Sequence, residues 1–270
     1  MSDKAVKVGK NMIVKTGNLK NRLMIGIPMT GLVRAEWMMS RYGQVIPCNW
    51  SLIEVAQWID QYSPINFLVA DARNLVVQKF LEAGCEWLLF IDSDVCLPGY
   101  FFVSINEYMI NKKYPVVSGI YFTKSVPSEP LIYREAGDGY FSKWKFGDKV
   151  WAGGIGMGST LIHNSLLRVM WEESEEYKVA NVVTRKVFDT PSRVFYDPQT
   201  ASFSTSCGTE DLYWCDRCIK ENVFEKAGWK RYQKMKYPFL VDTHLFSYHI
   251  DMNGKKYPST GEDSKFVRVK

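Results

Sequence analysis

The most constraining stretch of this sequence is residues 86–91 (EWLLFI), a near-continuous apolar run that stops abruptly at Asp92-Ser93-Asp94. A run this short and this apolar suits a strand buried on both faces, as in the centre of a parallel sheet, and such a strand needs helices to cover it. The preceding residues supply one. Residues 70–83 (ADARNLVVQKFLEA) place Leu75, Val76, Phe80 and Ala83 at helical spacing, with Asp71 near the start and Gly84 positioned as the stop. The two carboxylates then sit at a strand's carboxyl end, which is where open α/β sheets meet their ligands.

The rest of the chain repeats this alternation. Residues 22–27 (RLMIGI) read as a short buried strand ending at Pro28, and Gly31 closes the turn before a helical pattern over 32–42. A second strand over 44–48 and a helix over 52–62 follow, so strand and helix alternate as in an α/β sheet. Pro98 opens a helix through 109, 114–120 (YPVVSGI) makes another buried strand, and 122–148 reads as loops and an irregular hairpin. Residues 151–163 (WAGGIGMGSTLIH) form a glycine-rich bend feeding a strand, with a helix over 165–176 after it. Residues 180–206 read as irregular, 210–220 as helix and 239–247 as a last strand, with no internal repeat and no linker.

Composition sets the outer bounds. With 270 residues, 46% hydrophobic and 23% charged, the chain is long and apolar enough for one large globular domain. No apolar run approaches the roughly 18–20 residues of a membrane span, and the polar N-terminal residues lack the apolar centre of a signal peptide, which predicts a cytoplasmic protein. Of the 6 Cys, Cys215 and Cys218 form a C-x-x-C, but no second such pair exists, so reduced thiols are expected rather than zinc ligands or disulfides. The net charge of +5 fits an anionic ligand without identifying one. Between Lys220 and Lys236, six cations surround Trp229 and Tyr232, a candidate nucleic-acid acceptor surface whose plainer reading is a solvated face.

The acidic motif suits a hard cation. In extended geometry Asp92 and Asp94 point the same way, and Mg²⁺ or Mn²⁺ held by one or two carboxylates keeps positions open for water and phosphate oxygens. The plain alternative is that both merely cap the following helix. A phosphatase with a covalent aspartyl nucleophile also carries Asp-x-Asp after an apolar strand, but its pattern wants Thr or Val where this chain has Cys96. Residues 207–217 (CGTEDLYWCDR) put Glu210 and Asp211 at the start of a helix, where the dipole favours an ionised carboxylate suited to general-base work; the alternative is first-turn carboxylates capped by Thr209. Residues 241–251 (VDTHLFSYHID) carry His244 and His249, each a candidate nitrogen ligand and each explicable as structural.

Taken in order over roughly residues 22–251, these features resemble the GT-A fold glycosyltransferases, particularly the soluble family 2-like enzymes of phage and bacterial type. The resemblance implies a Rossmann-like, mostly parallel central sheet flanked by helices in a single domain over 21–251, with a flexible arm at 1–20 and a tail at 252–270. It implies a metal-dependent, hexosyltransferase-like enzyme that moves one sugar from a nucleotide diphosphate-sugar, a UDP-sugar in the first instance, to an acceptor hydroxyl with inversion. A phage-encoded member would work in the host cytoplasm. In that reading Asp94 and His249 hold Mn²⁺ or Mg²⁺, and Asp92 contacts the ribose or the metal's water shell. Pro28, Thr30 and Arg34 hold base and ribose, while Arg73 reaches the diphosphate or sugar. Ser93 belongs to the binding motif, Gly154 and Gly156 let backbone approach the donor, and Asp211 beside Glu210 is the base. The chain lacks the Gln-x-x-Arg-Trp motif of processive synthases, hence the expectation of single transfer. A nucleotidyltransferase would want a glycine-rich basic loop where residues 27–31 (IPMTG) stand, and a non-catalytic glycan or nucleic-acid binding module would need neither metal nor nucleotide.

Overall fold

In the computed structural model, which describes residues 5–8, 12–15, 23–48, 50, 63–135, 139–198 and 201–262, the chain is organised on one six-stranded sheet. Its strands are β1 (Leu23–Gly26), β2 (Trp87–Ile91), β3 (Val116–Ile120), β4 (Lys149–Ala152), β5 (Ser159–His163) and β6 (Phe239–Phe246), in the spatial order β1-β2-β5-β3-β6-β4. β1 runs parallel to β2 and β6 parallel to β3, while β5 is antiparallel to both β2 and β3, and β4 to β6. Four strands therefore share one direction, as expected of a mostly parallel α/β sheet, and the two reversed ones are those adjoining the glycine-rich bend at residues 153–158.

The apolar run does what its composition demands. All five residues of β2 are buried, and they divide by pleat. Leu88 and Phe90 join Val76, Val77 and Phe80 of helix α2 (Val69–Ala83) on one face, while Trp87, Leu89 and Ile91 join Phe101, Phe102 and Ile105 of α3 (Phe101–Asn111) on the other. Each such side chain contributes about 1.5–3 kcal/mol relative to leaving it in water, so the strand ahead of the acidic motif is firmly held. Helix α2 ends as its sequence predicts, at Gly84 in the left-handed conformation (φ 69°, ψ 27°).

Several expectations need correction. Residues 44–48 form no strand: Val45 and Ile46 are exposed, and the Gln44 amide donates to the carbonyls of Ser40 and Pro98. The alternation there lacks a neighbouring strand to pair with. Residues 180–206, read as irregular, contribute to two hairpins, Glu176–Val179 with Val182–Arg185 and Ser192–Asp197 with Ser202–Cys207. Near the N-terminus Ala5–Val8 pairs with Met12–Lys15 within the stretch read as an arm, and the helix expected over 52–62 lies outside the described residues. The segment read as a C-terminal tail is tied in as far as Glu262: Lys256–Tyr257 pairs with Tyr248–Ile250, and the Glu262 carboxylate accepts from Ser128 and Ser259. Among the described residues no helix is long and apolar enough to cross a membrane.

Candidate active site

The Asp-Ser-Asp motif is a turn, not an extended segment. Val95 N–H donates to the Asp92 carbonyl at 3.1 Å, closing the turn around Ser93, and the Trp37 indole N–H donates to the same carbonyl at 2.8 Å. The expected parallel projection of the two carboxylates is therefore wrong; a tight turn rotates them apart. Asp92 points toward α2, and Asp94 points toward the segments after β3 and β6.

Asp92 meets Arg73. The guanidinium donates through Nη2 to both Asp92 oxygens, at 3.0 and 3.2 Å, and through Nε to Glu210 Oε1 at 3.1 Å. Arg73 is 2% exposed and lies 5.2 Å over the Phe90 ring, so it is a cation packed in the apolar layer and compensated by two carboxylates. Burial opposes its charge, but Asp92 and Glu210 outweigh that and hold its pKa above the ordinary value. Its remaining nitrogen, Nη1, is buried and has no hydrogen-bond partner among the described residues. Burial pushes the Asp92 carboxyl up, with Asp94 and Glu210 adding to the push and Arg73 opposing it.

Glu210 and Asp211 open helix α5 (Glu210–Lys220) as expected, but Thr209 makes no side-chain cap. Glu210 is drawn inward to Arg73, which removes the reading of it as a mere first-turn charge. Asp211 accepts from its neighbour's Leu212 N–H at 2.7 Å. Burial and then the Glu210 charge raise its pKa, against the Thr209 hydroxyl and Arg73, a direction that makes a carboxylate a better proton acceptor.

Asp94 faces two nitrogen groups. Lys124 Nζ contacts Oδ2, and His249 Nε2 lies 3.2 Å from Oδ1. His249 reaches it because Tyr248–Ile250 pairs with Val95–Cys96 in a register that sets His249 across from Val95, and Ile250 N–H donates to the Asp94 carbonyl at 2.8 Å. Burial pushes Asp94 up, yet His249 and Lys124 prevail and bring it down to about 2. The His249 ring is also oriented from its other side: Nδ1 donates to the Phe122 carbonyl at 2.7 Å, which turns Nε2 toward Asp94. The 3.2 Å separation of Nε2 from Oδ1 is close to the about 3.0 Å between adjacent corners of an octahedral shell of about 2.1 Å radius. Asp94 and His249 thus fit two ligand positions of Mg²⁺ or Mn²⁺. Asp92 does not join them, being committed to Arg73, and among the described residues no group of three or more His, Cys, Asp or Glu forms a ready-made metal cage.

The glycines have a packing reason of their own. A Cβ on Gly156 would lie 2.2 Å from the Tyr121 hydroxyl oxygen, one on Gly154 2.8 Å from Leu212, and one on Gly158 2.8 Å from Asp92 Oδ2. At Gly154 and Gly156 the space a Cβ would need is therefore already filled by protein side chains. The Tyr121 hydroxyl accepts from Gly158 N–H at 2.8 Å, while Asp92 N–H donates to the Gly158 carbonyl at 3.0 Å, so the bend braces the motif. Gly156→Ala is expected to displace Tyr121 and cost about 1–3 kcal/mol in urea unfolding. Unchanged stability would mean that the tyrosine moves aside freely.

The other expected residues are placed as follows. Pro28 is buried, Thr30 is exposed, and Arg34 spends its donors on Glu36 and, at 2.9 Å, on the Met252 carbonyl, so it fastens the start of α1 (Ala35–Tyr42) to the chain beyond β6. His244 stacks on Tyr100 with ring centroids 4.7 Å apart, away from Asp94, in keeping with a structural role. Cys215 and Cys218 are free, buried thiols pushed up by burial, as expected. In the basic stretch Lys220, Lys226 and Lys236 pair with Asp216, Glu173 and Glu135, Trp229 donates to Ser165 and Tyr232 is buried, while Lys230, Arg231 and Lys234 are exposed. Sequence reading missed Tyr121 and Lys124. The first follows β3 directly and shares the carboxyl-end position that flagged Asp92; an exposed loop lysine such as Lys124 carries no such signal.

No protein-family model and no curated protein matches this chain. Among solved structures, A197 from STIV aligns over 85% of this chain and 86% of its own at 20% identity, with a TM-score of 0.49. TarS 1–349 from S. aureus in complex with UDP aligns at 13% identity over 55% of this chain and 48% of that one, with a TM-score of 0.33. A Bacillus anthracis protein named as a glucose-1-phosphate thymidylyltransferase, in complex with a sucrose, aligns at 9% identity over 57% and 76%, with a TM-score of 0.33. All three lie under 25% identity.

Proposed function

We propose that this chain is a GT-A-type glycosyltransferase that transfers one sugar from a nucleotide diphosphate-sugar to an acceptor hydroxyl. The observation that carries this reading is the convergence on Arg73: a buried guanidinium binds the strand-end Asp92 and the helix-start Glu210, and keeps one buried nitrogen without a partner among the described residues. A donor's phosphate or sugar oxygen is what such a nitrogen lacks. Asp94 and His249 are the residues to hold Mn²⁺ or Mg²⁺, and the ion, when bound, neutralises charge on the departing diphosphate. Asp211, raised by burial, takes the acceptor hydroxyl's proton as that oxygen attacks the anomeric carbon from the side opposite the leaving group, which inverts the centre. A UDP-sugar is the first donor to test. The first turn, residues 27–31, offers no basic glycine-rich loop for a nucleotidyl transfer, and Arg34 beyond it is already engaged by Glu36 and Met252.

The test is thermal stability with UDP, with and without Mn²⁺. A ligand at a hundred times its Kd adds about 2.7 kcal/mol, so the natural protein is expected to gain several degrees only when both are present. Asp94→Ala is expected to lose that gain while staying folded, because Asp94 is partly exposed. A nucleotide effect that persists in Asp94→Ala without metal would sink the metal-dependent reading.

A further inference from the structure

We propose that Lys124 is a resident placeholder cation on Asp94 that passes to the donor diphosphate when a divalent ion enters, so that metal and nucleotide bind interdependently; this rests on the metal-dependent reading above. Both oxygens of Asp94 are covered by nitrogen groups, Oδ2 by the Lys124 ammonium and Oδ1 by His249. An ion held between Oδ1 and the imidazole repels the ammonium on Oδ2 and drives it off the carboxylate. The segment carrying Lys124 is built to stay in place while its side chain swings. Phe122 and Pro130 bridge its ends, Thr123 N–H donates to the Glu129 carbonyl at 2.9 Å, Ser125 donates to the Pro127 carbonyl at 2.9 Å, and Ser128 is fastened to Glu262. Lys124 itself is 36% exposed on a flexible four-carbon stem. A displaced ammonium beside a divalent cation is repelled, and an anion bridging the two relieves that repulsion. A diphosphate is such an anion, so each ligand lowers the cost of admitting the other.

The experiment measures Mn²⁺ affinity by titration, with and without UDP, for the natural protein, Lys124→Met and Lys124→Arg. Without UDP, Lys124→Met is expected to bind Mn²⁺ about tenfold more tightly, because no ammonium competes. UDP is expected to raise Mn²⁺ affinity markedly in the natural protein and in Lys124→Arg, and several-fold less in Lys124→Met. Equal or weaker Mn²⁺ binding by Lys124→Met in the absence of UDP, or an undiminished UDP effect, overturns the placeholder role while leaving the metal site standing. Absence of Mn²⁺ binding in all three proteins, with and without UDP, removes the metal reading and the proposal with it.

Discussion

Asp211→Asn is expected to lower sugar transfer by about 10²–10⁴-fold while leaving Mn²⁺-dependent UDP binding within about twofold of the natural protein. The amide keeps the shape of the carboxylate and the oxygen that accepts from Leu212 N–H, so the start of α5 has no reason to rearrange. What it lacks is basicity. In the carboxylate that basicity is enhanced by burial and by Glu210, both of which raise the proton affinity of Asp211. Release of UDP from a UDP-sugar reports turnover, and the metal-dependent thermal shift reports binding. A parallel fall in both would assign Asp211 to holding the site together. Full activity would place the base elsewhere.

Arg73→Met carries the largest expected cost in stability, about 3 kcal/mol, at the lower end of what breaking a buried ion pair costs because Asp92 is 23% exposed. The substitution leaves two carboxylates facing an apolar layer with no cation, and the arginine–ring contact over Phe90 goes with it. For a chain of this size the melting temperature should drop by about 6–12 °C. Adding Glu210→Gln to Arg73→Met should recover part of the loss, since it removes one of the stranded charges. If the single variant melts within a degree of the natural protein, Arg73 is not the tie between the motif strand and α5.

Much of this was legible in the chain. The burial of β2 on both faces follows from five consecutive apolar residues, and the ends of α2 and α5 follow from Gly84 and from the acidic pair after Thr209. The grouping of Arg73, Asp92 and Glu210 was foreshadowed by type and order along the sequence, but their actual bonds were not. What escaped depends on geometry that no short window encodes. Two carboxylates one residue apart project together from a strand and apart from a turn, and Trp37, far upstream, helps to hold the turn. The antiparallel β5 escaped because an apolar stretch reads the same in either direction. Glycines that admit the Tyr121 hydroxyl and Leu212 look in sequence like glycines that admit a ligand.

The contacts that make the site span most of the chain. Arg73 and Glu210 are 137 residues apart, and His249 and the carbonyl that orients it 127. During synthesis, then, the motif strand leaves the ribosome long before any of its partners beyond Tyr121 and Lys124. Asp92 and Arg73 emerge early and close together, so they pair first; Glu210 reaches them much later, and His249 completes Asp94 later still. On the proposed metal reading, chains released short of residue 249 should therefore carry the acidic turn without its imidazole, and ion binding should be acquired only once His249 has emerged, after the strands of the surrounding sheet.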